Sequence, residues 1–348
     1  MLVTSDSEIK VLLGKLPKAE LHLHLEGTLL PHRILSLAQK YSVPVDWNEV
    51  HSRYNTRNFT QFLELYKWAT SFLREAEDYA LLAEDAAAAF HEQGIVYAEI
   101  TLSVGVMLLR KQNVTANFIA LRDVFHRRAQ SGTGPQTQFI FDAVRQFGSA
   151  PAMEVARMAA DLRNEGVVAF GLGGDELSVP LSEFHSAYSY AAEHGLHLLA
   201  HAGETGGPEQ IKDAIDILHA ERIGHGIAAL RSTALMNTLA ERKIPLEICP
   251  SSNLRTNALN IQLNSATSDL SQHPLPKFFR HGIPVTLSTD DPAMFHTTLL
   301  DEYSAALQMG LSLDDLLVIN RTAFEQSFLP DPARQSFLVQ LTPVSPES

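Results

Sequence analysis

A (β/α)8 barrel is the fold class this sequence predicts, and three observations carry it. Eight short β-rich apolar runs lie along the chain, most followed by polar or glycine-containing residues and then a helix-like stretch. Repeated strand–helix units of that kind give a parallel sheet with helical crossovers. The length, 348 residues, suits such a barrel with insertions. A doubly wound open sheet would want a glycine-rich phosphate loop after the first run, where the residues are HLHLEGTL.

The runs are, in order, 19–25 (AELHLHL), 95–102 (IVYAEITL), 137–144 (TQFIFDAV), 167–171 (VVAFG), 196–201 (LHLLAH), 222–225 (RIGH), 245–249 (PLEIC) and 284–289 (PVTLST). The gap from Leu29 to Gly94 is too long for a minimal unit. It carries amphipathic helical pattern, including Phe62, Leu63, Leu65, Tyr66, Trp68 and Ala69. Residues 28–80 are therefore expected to form a helical cap inserted over the barrel mouth. No repeat or linker divides the chain, so one domain is expected over 1–348. The polar, proline-containing end at 342–348 is expected to be a frayed tail.

Composition excludes several classes. Apolar residues make 45% and charged residues 19%, an ordinary globular balance. The formal charge is 27 − 40 = −13, which disfavours binding to nucleic acid. Cys249 is the single cysteine, so neither an intrachain disulfide nor a multi-thiolate metal site can form. No apolar stretch approaches about 18 residues, and a membrane span is not expected. The start, MLVTSDSEIK, lacks the apolar core of a signal peptide, and a cytoplasmic protein is expected.

The chemistry-bearing residues sit at the ends of the expected strands. His22 and His24 are two apart, so a strand turns both imidazoles to one face. In a barrel that end carries the active site. The fifth run ends in His201-Ala202-Gly203-Glu204, the sixth in Gly224-His225-Gly226, and the eighth is followed by Asp290-Asp291-Pro292. Singly, each is as well explained by capping of the following helix. Together, four strand ends open onto one rim. His22, His24, His201 and Asp290 form a three-imidazole, one-carboxylate set suited to a catalytic divalent metal with an open position for water. Glu204 is then free to act as a general acid, and His225 to hold or deprotonate the attacking water.

These segments carry a resemblance. KAELHLHLEGT (18–28), LGGDE (172–176), HAGE (201–204), RIGHG (222–226), CPSSN (249–253) and LSTDDP (287–292) resemble the adenosine deaminase family, within the metal-dependent amidohydrolase barrels. The resemblance implies one Zn2+ per chain on His22, His24, His201 and Asp290. It implies that Glu204 protonates purine N1 and that His225 orients the attacking water. It further implies that Asp291 hydrogen-bonds N7, that the Gly174 amide meets N3, and that C6 loses its amino group as ammonia. The expected partner is a small purine nucleoside.

Two segments depart from the adenosine-preferring pattern. Glu26-Gly27 stands where Asp-Gly is usual, so Glu26 is expected to contact the substrate's 5′ side. Residues 99–112 (EITLSVGVMLLRKQ) depart from the arginine-containing segment expected of adenosine or methyl-AMP deaminases. Arg145, after the third run, is expected near the rim to meet a substrate carboxylate, as in relatives that deaminate 6-amino-6-deoxyfutalosine. Adenosine or a 5′-modified adenosine is the leading substrate, with aminodeoxyfutalosine, adenine, or a non-catalytic metal-binding role as alternatives. A His/Cys/Cys zinc deaminase is excluded by the single cysteine. A two-metal hydrolase with a bridging lysine is disfavoured because no lysine lies at a strand end.

Overall fold

The computed structural model of the protein describes residues 6–341; the tail expected at 342–348 lies outside them. Eight strands alternate with helices: β1 (Lys18–His24), β2 (Ile95–Leu102), β3 (Gln136–Val144), β4 (Val167–Gly173), β5 (His197–Ala202), β6 (Arg222–His225), β7 (Leu246–Ile248) and β8 (Val285–Leu287). Each pairs parallel with the next, in the order β1 to β8. The ring is completed beyond β8 by the main chain of Asp290, whose N–H donates to His22 O at 3.1 Å and whose carbonyl accepts from His24 N–H at 2.9 Å. This is the (β/α)8 barrel expected from the strand–helix alternation.

The boundaries differ from the sequence reading where side chains capture main-chain groups. Leu25 leaves β1 for a 3-10 turn, Leu25–Thr28, in which Thr28 Oγ1 donates to Leu25 O. β8 is shorter than its apolar run because the Thr289 N–H and hydroxyl both donate to the buried Glu20 carboxylate instead of continuing the ladder.

Apolar side chains between the barrel and its surrounding helices form the main core. Phe118, on the helix Val114–Gln130, meets Phe139 and Phe141 of β3 edge-on at 5.1 and 5.2 Å. The barrel interior also buries charge. Arg222 is 1% exposed and bonds to Glu99 of β2 and Glu247 of β7 at 2.5 and 2.7 Å. A buried guanidinium is tolerable only when paired in this way.

Between β1 and β2 the chain forms the helices Pro31–Lys40, Trp47–Arg53 and Phe59–Ala69. Asp46 and Asn58 cap the second and third by accepting the N–H of Glu49 and Gln61. The helix Phe59–Ala69 lies against the C-terminal ends of the strands, with Phe62 on Phe295 at 4.8 Å. Residues 76–80, expected within the cap, instead begin the helix Ala76–Glu92, which packs on the helix Val114–Gln130 outside the barrel.

Candidate active site

The residues singled out at the strand ends converge. His22 and His24 project from β1 to one face, with ring centroids 5.6 Å apart. His201, from the end of β5, lies 4.6 Å from the His22 ring and 5.3 Å from that of His24. Asp290 Oδ1 sits 3.4 Å from His22 Nε2 and 3.5 Å from His24 Nε2. The other Asp290 oxygen accepts from Ser252 Oγ at 2.6 Å. His225 Nε2 faces Glu204 Oε2 at 3.7 Å and Asp290 Oδ2 at 3.8 Å.

This donor set fits a divalent metal. Imidazole nitrogens or carboxylate oxygens of His22, His24 and Asp290 lie within 4.8 Å of one another, as do those of His22, His201 and His225. His22 Nε2 is buried with no hydrogen-bond partner, while Glu247 Oε2 holds its other nitrogen at 2.7 Å. A carboxylate on the far nitrogen fixes the tautomer that turns Nε2 toward an ion. Burial opposes ionisation of Glu247, but Arg222 and His22 outweigh it and hold the carboxyl below the usual range. Burial disfavours the charged form of His24 and His201, the direction a ligand needs, whereas at His22 burial is outweighed by the Asp290 and Glu247 carboxylates, which raise it to about 10, so an ion there must displace a proton.

Two carboxyl groups beside this centre are pushed the other way. Burial, then the charges of Asp290 and Glu176, drives Glu204 well above the usual carboxylate range. Burial and the adjoining Asp290 do the same to Asp291. In both, burial and the neighbouring negative charge favour the protonated form over the ionised one. Glu204 is held from three sides: Thr256 Oγ1 donates to its Oε1 at 3.0 Å, Gln262 Nε2 donates to its main-chain oxygen at 2.8 Å, and its N–H donates to Glu176 Oε1 at 3.0 Å. Asp291 Oδ1 is buried without a partner. Gly27 makes room for it, since a Cβ there would lie 2.6 Å from the Asp291 Cα. Gly174 has φ +95°, where a side chain is strained, and a Cβ would lie 2.3 Å from Gln146 Oε1.

A chamber of about 320 Å³ opens over the centre. Its floor includes His24, His201, Glu204, His225, Asp290 and Asp291, with Gly174 on its wall. Phe59, Phe62, Leu63 and Tyr66 form its outer side. Two expected contacts are displaced from it. Arg145 does not line the chamber: its guanidinium turns to Val179 O at 2.6 Å and Gln210 Oε1 at 2.7 Å, and Gln146 and Phe147 take the wall in its place. Glu26 lies behind the wall, accepting from Ser103 N at 3.1 Å and Tyr66 Oη at 3.3 Å, so it ties the inserted helix to the barrel.

No role was legible in the sequence for Glu247, Thr256 or Asp142, nor for Ser252 and Asn253 individually within the CPSSN segment. Asp142, on β3, lines the chamber, and its carboxyl fits because Gly171 and Gly173 face it, where Cβ atoms would lie 2.7 and 2.8 Å away. A signal for Glu247 and Asp142 did exist: each is a lone acid inside an apolar strand run.

The family model described as Adenosine deaminase matches residues 17–343. Aminodeoxyfutalosine deaminase of Streptomyces coelicolor is 36% identical over 333 residues, covering 94% of this chain and 84% of that protein. Adenine deaminase of Sinorhizobium fredii is 34% identical over 327 residues, covering 94% and 98%. The solved structure of adenine deaminase from Arthrobacter aurescens is similar at a TM-score of 0.86 and 28% identity, covering 93% of this chain and 98% of that one.

Proposed function

The chain belongs to the adenosine deaminase family, and from that premise we propose that it is a zinc-dependent hydrolase that removes the 6-amino group of an adenine-containing small molecule. The observation that carries this reading is the placement of a buried carboxyl, Glu204, beside a centre of three imidazoles and one aspartate. His22, His24, His201 and Asp290 would hold the ion. Bound there, zinc supplies Lewis acidity and makes hydroxide available near neutral pH.

The remaining work falls to the protein's own groups. An aromatic C6 is a poor electrophile until the neighbouring N1 is protonated, and Glu204 holds a proton for N1. Asp291, protonated, donates to N7, and the Gly174 amide meets N3. His225 orients the attacking oxygen. Overall, water adds at C6, the C6–N bond breaks, and the amino nitrogen leaves as ammonia.

A narrower substrate reading is favoured by Arg110. It lines the outer chamber beside Lys67 and an apolar wall that includes Phe59, Leu109 and Phe147. Its Nη2 donates to Lys67 O at 2.8 Å, and it makes no ion pair among the described residues. An unpaired, part-buried guanidinium suits an anionic group on the substrate. This supports aminodeoxyfutalosine, whose 5′ side carries a benzoate, over free adenine or adenosine. Ammonia release by the zinc-loaded protein from adenine, adenosine and aminodeoxyfutalosine tests both readings. No release from any of them would end the deaminase proposal. A higher kcat/KM on adenine or adenosine would end only the narrower one.

A further inference from the structure

A chain of hydrogen bonds reaches His225 from outside the metal centre, and every group in it is buried. The Leu275 N–H donates to His273 Nδ1 at 3.1 Å. His273 Nε2 lies 3.2 Å from Asn253 Oδ1, and Asn253 Nδ2 lies 3.1 Å from His225 Nδ1. His273, Asn253 and His225 are 3%, 0% and 1% exposed. The far nitrogen of His225 then faces Glu204 and Asp290.

The direction of every bond follows from the first one. A main-chain N–H only donates, so His273 Nδ1 accepts. A neutral imidazole carries one proton, which must then be on His273 Nε2, and it is donated to Asn253 Oδ1. The Asn253 amide is thereby oriented with its NH2 toward His225, whose Nδ1 must accept. The proton of His225 is left on Nε2, aimed into the site. Turning the Asn253 amide over would place two donors face to face or leave His273 with no proton, so that arrangement is excluded.

We propose that His273 and Asn253 are positioning residues that lock His225 in its Nε2–H tautomer, with the Leu275 amide as the fixed end of the relay. One consequence concerns the metal. Of the two overlapping donor groups, the one that uses His225 is disabled, because a protonated Nε2 has no lone pair to offer. The ion is directed to His22, His24, His201 and Asp290, and His225 is reserved as a donor to the reacting oxygen or to a neighbouring carboxylate. This inference goes beyond the deaminase reading: the tautomer can be read in the resting protein whether or not any purine is turned over.

The test uses zinc-loaded protein labelled with 15N at histidine, with long-range proton–nitrogen correlation spectra to read each ring, and His225→Gln to assign the His225 signals. The wild type should show His225 and His273 as neutral Nε2–H tautomers. Asn253→Asp is nearly isosteric but presents two acceptors, so it should move the His225 proton to Nδ1. It should also lower kcat about 100-fold or more, with KM changed less than threefold and one zinc retained. His273→Gln keeps an acceptor and a donor at the same spacing and should retain at least a third of wild-type kcat, whereas His273→Leu should lose at least tenfold. An Nδ1–H tautomer at His225 in the wild type would overturn the proposal with no variant needed. So would an Asn253→Asp protein with wild-type kcat, or His273→Gln as impaired as His273→Leu. If the tautomers are as stated but no 6-aminopurine is deaminated, the relay stands and the proposed function falls.

Discussion

Glu247 Oε2 lies 2.7 Å from His22 Nδ1, and Arg222 bonds to the other oxygen of the same carboxylate at 2.7 Å. The arginine keeps Glu247 charged, and Glu247 in turn keeps the opposite nitrogen of His22 facing the centre. Glu247→Gln is expected to weaken zinc binding about 10- to 100-fold without abolishing the fold. Competition against a chelator of known affinity measures it. Unchanged affinity would mean that His22 is oriented by other contacts.

Glu204→Gln separates proton donation from metal binding. The substitution keeps the Thr256 hydroxyl contact but removes the acidic proton. Zinc content is expected to be that of the wild type, with kcat reduced about 10²- to 10⁴-fold. Metal analysis and steady-state kinetics on one preparation check both halves.

Gly27→Ala places a methyl group where the Asp291 Cα and side chain now lie. Neither main chain can retreat cheaply, because Asp291 follows directly on the residue that joins β8 to β1. The expected cost is about 1–3 kcal/mol of stability, with a raised KM as Asp291 shifts. Chemical denaturation and kinetics measure the two effects separately.

Glu302 gives a pH dependence away from the metal. Burial raises its carboxyl to about 7, although the Ser251 N–H and the Thr297 hydroxyl, both donated to it, partly oppose the rise. The folded state therefore disfavours the ionised form. No cost is present below the ordinary value near 4.5; the cost grows as pH rises from there to about 7 and is constant above. Its full size is on the order of 3 kcal/mol. Glu302→Gln should remove this loss, so the melting-temperature difference between variant and wild type should move in the variant's favour from pH 4.5 to 7. A difference independent of pH would contradict the assignment.

What could be read in the sequence was local. The two-residue spacing of His22 and His24 dictates a shared face in any strand, and a histidine or aspartate at a strand end reaches the rim in any barrel. Glu247 stood out as a lone acid in an apolar run, but its partner did not, being a histidine 225 positions away in the chain; the roles of Asn253 and His273 lie likewise in contacts that only the fold creates. The arginine expectation went astray for a similar reason. Arg145 does sit just past a strand end, but a 3-10 turn (Arg145–Phe147) directs its side chain to Val179 and Gln210. Arg110, which does reach the chamber, lies at the end of the short helix Val104–Leu109, where a rim position is not implied by strand spacing.

The main chain of Asp290 fastens the last strand to the first, while its side chain belongs to the donor set. A chain whose circumference is still open therefore has an incomplete seat for the ion. If the ion is bound as proposed, its tight retention is expected only once that seam has shut. Chelation and loosening of that seam should accompany each other, with hydrogen exchange at the His24 and Asp290 amides accelerating together when the ion is withdrawn.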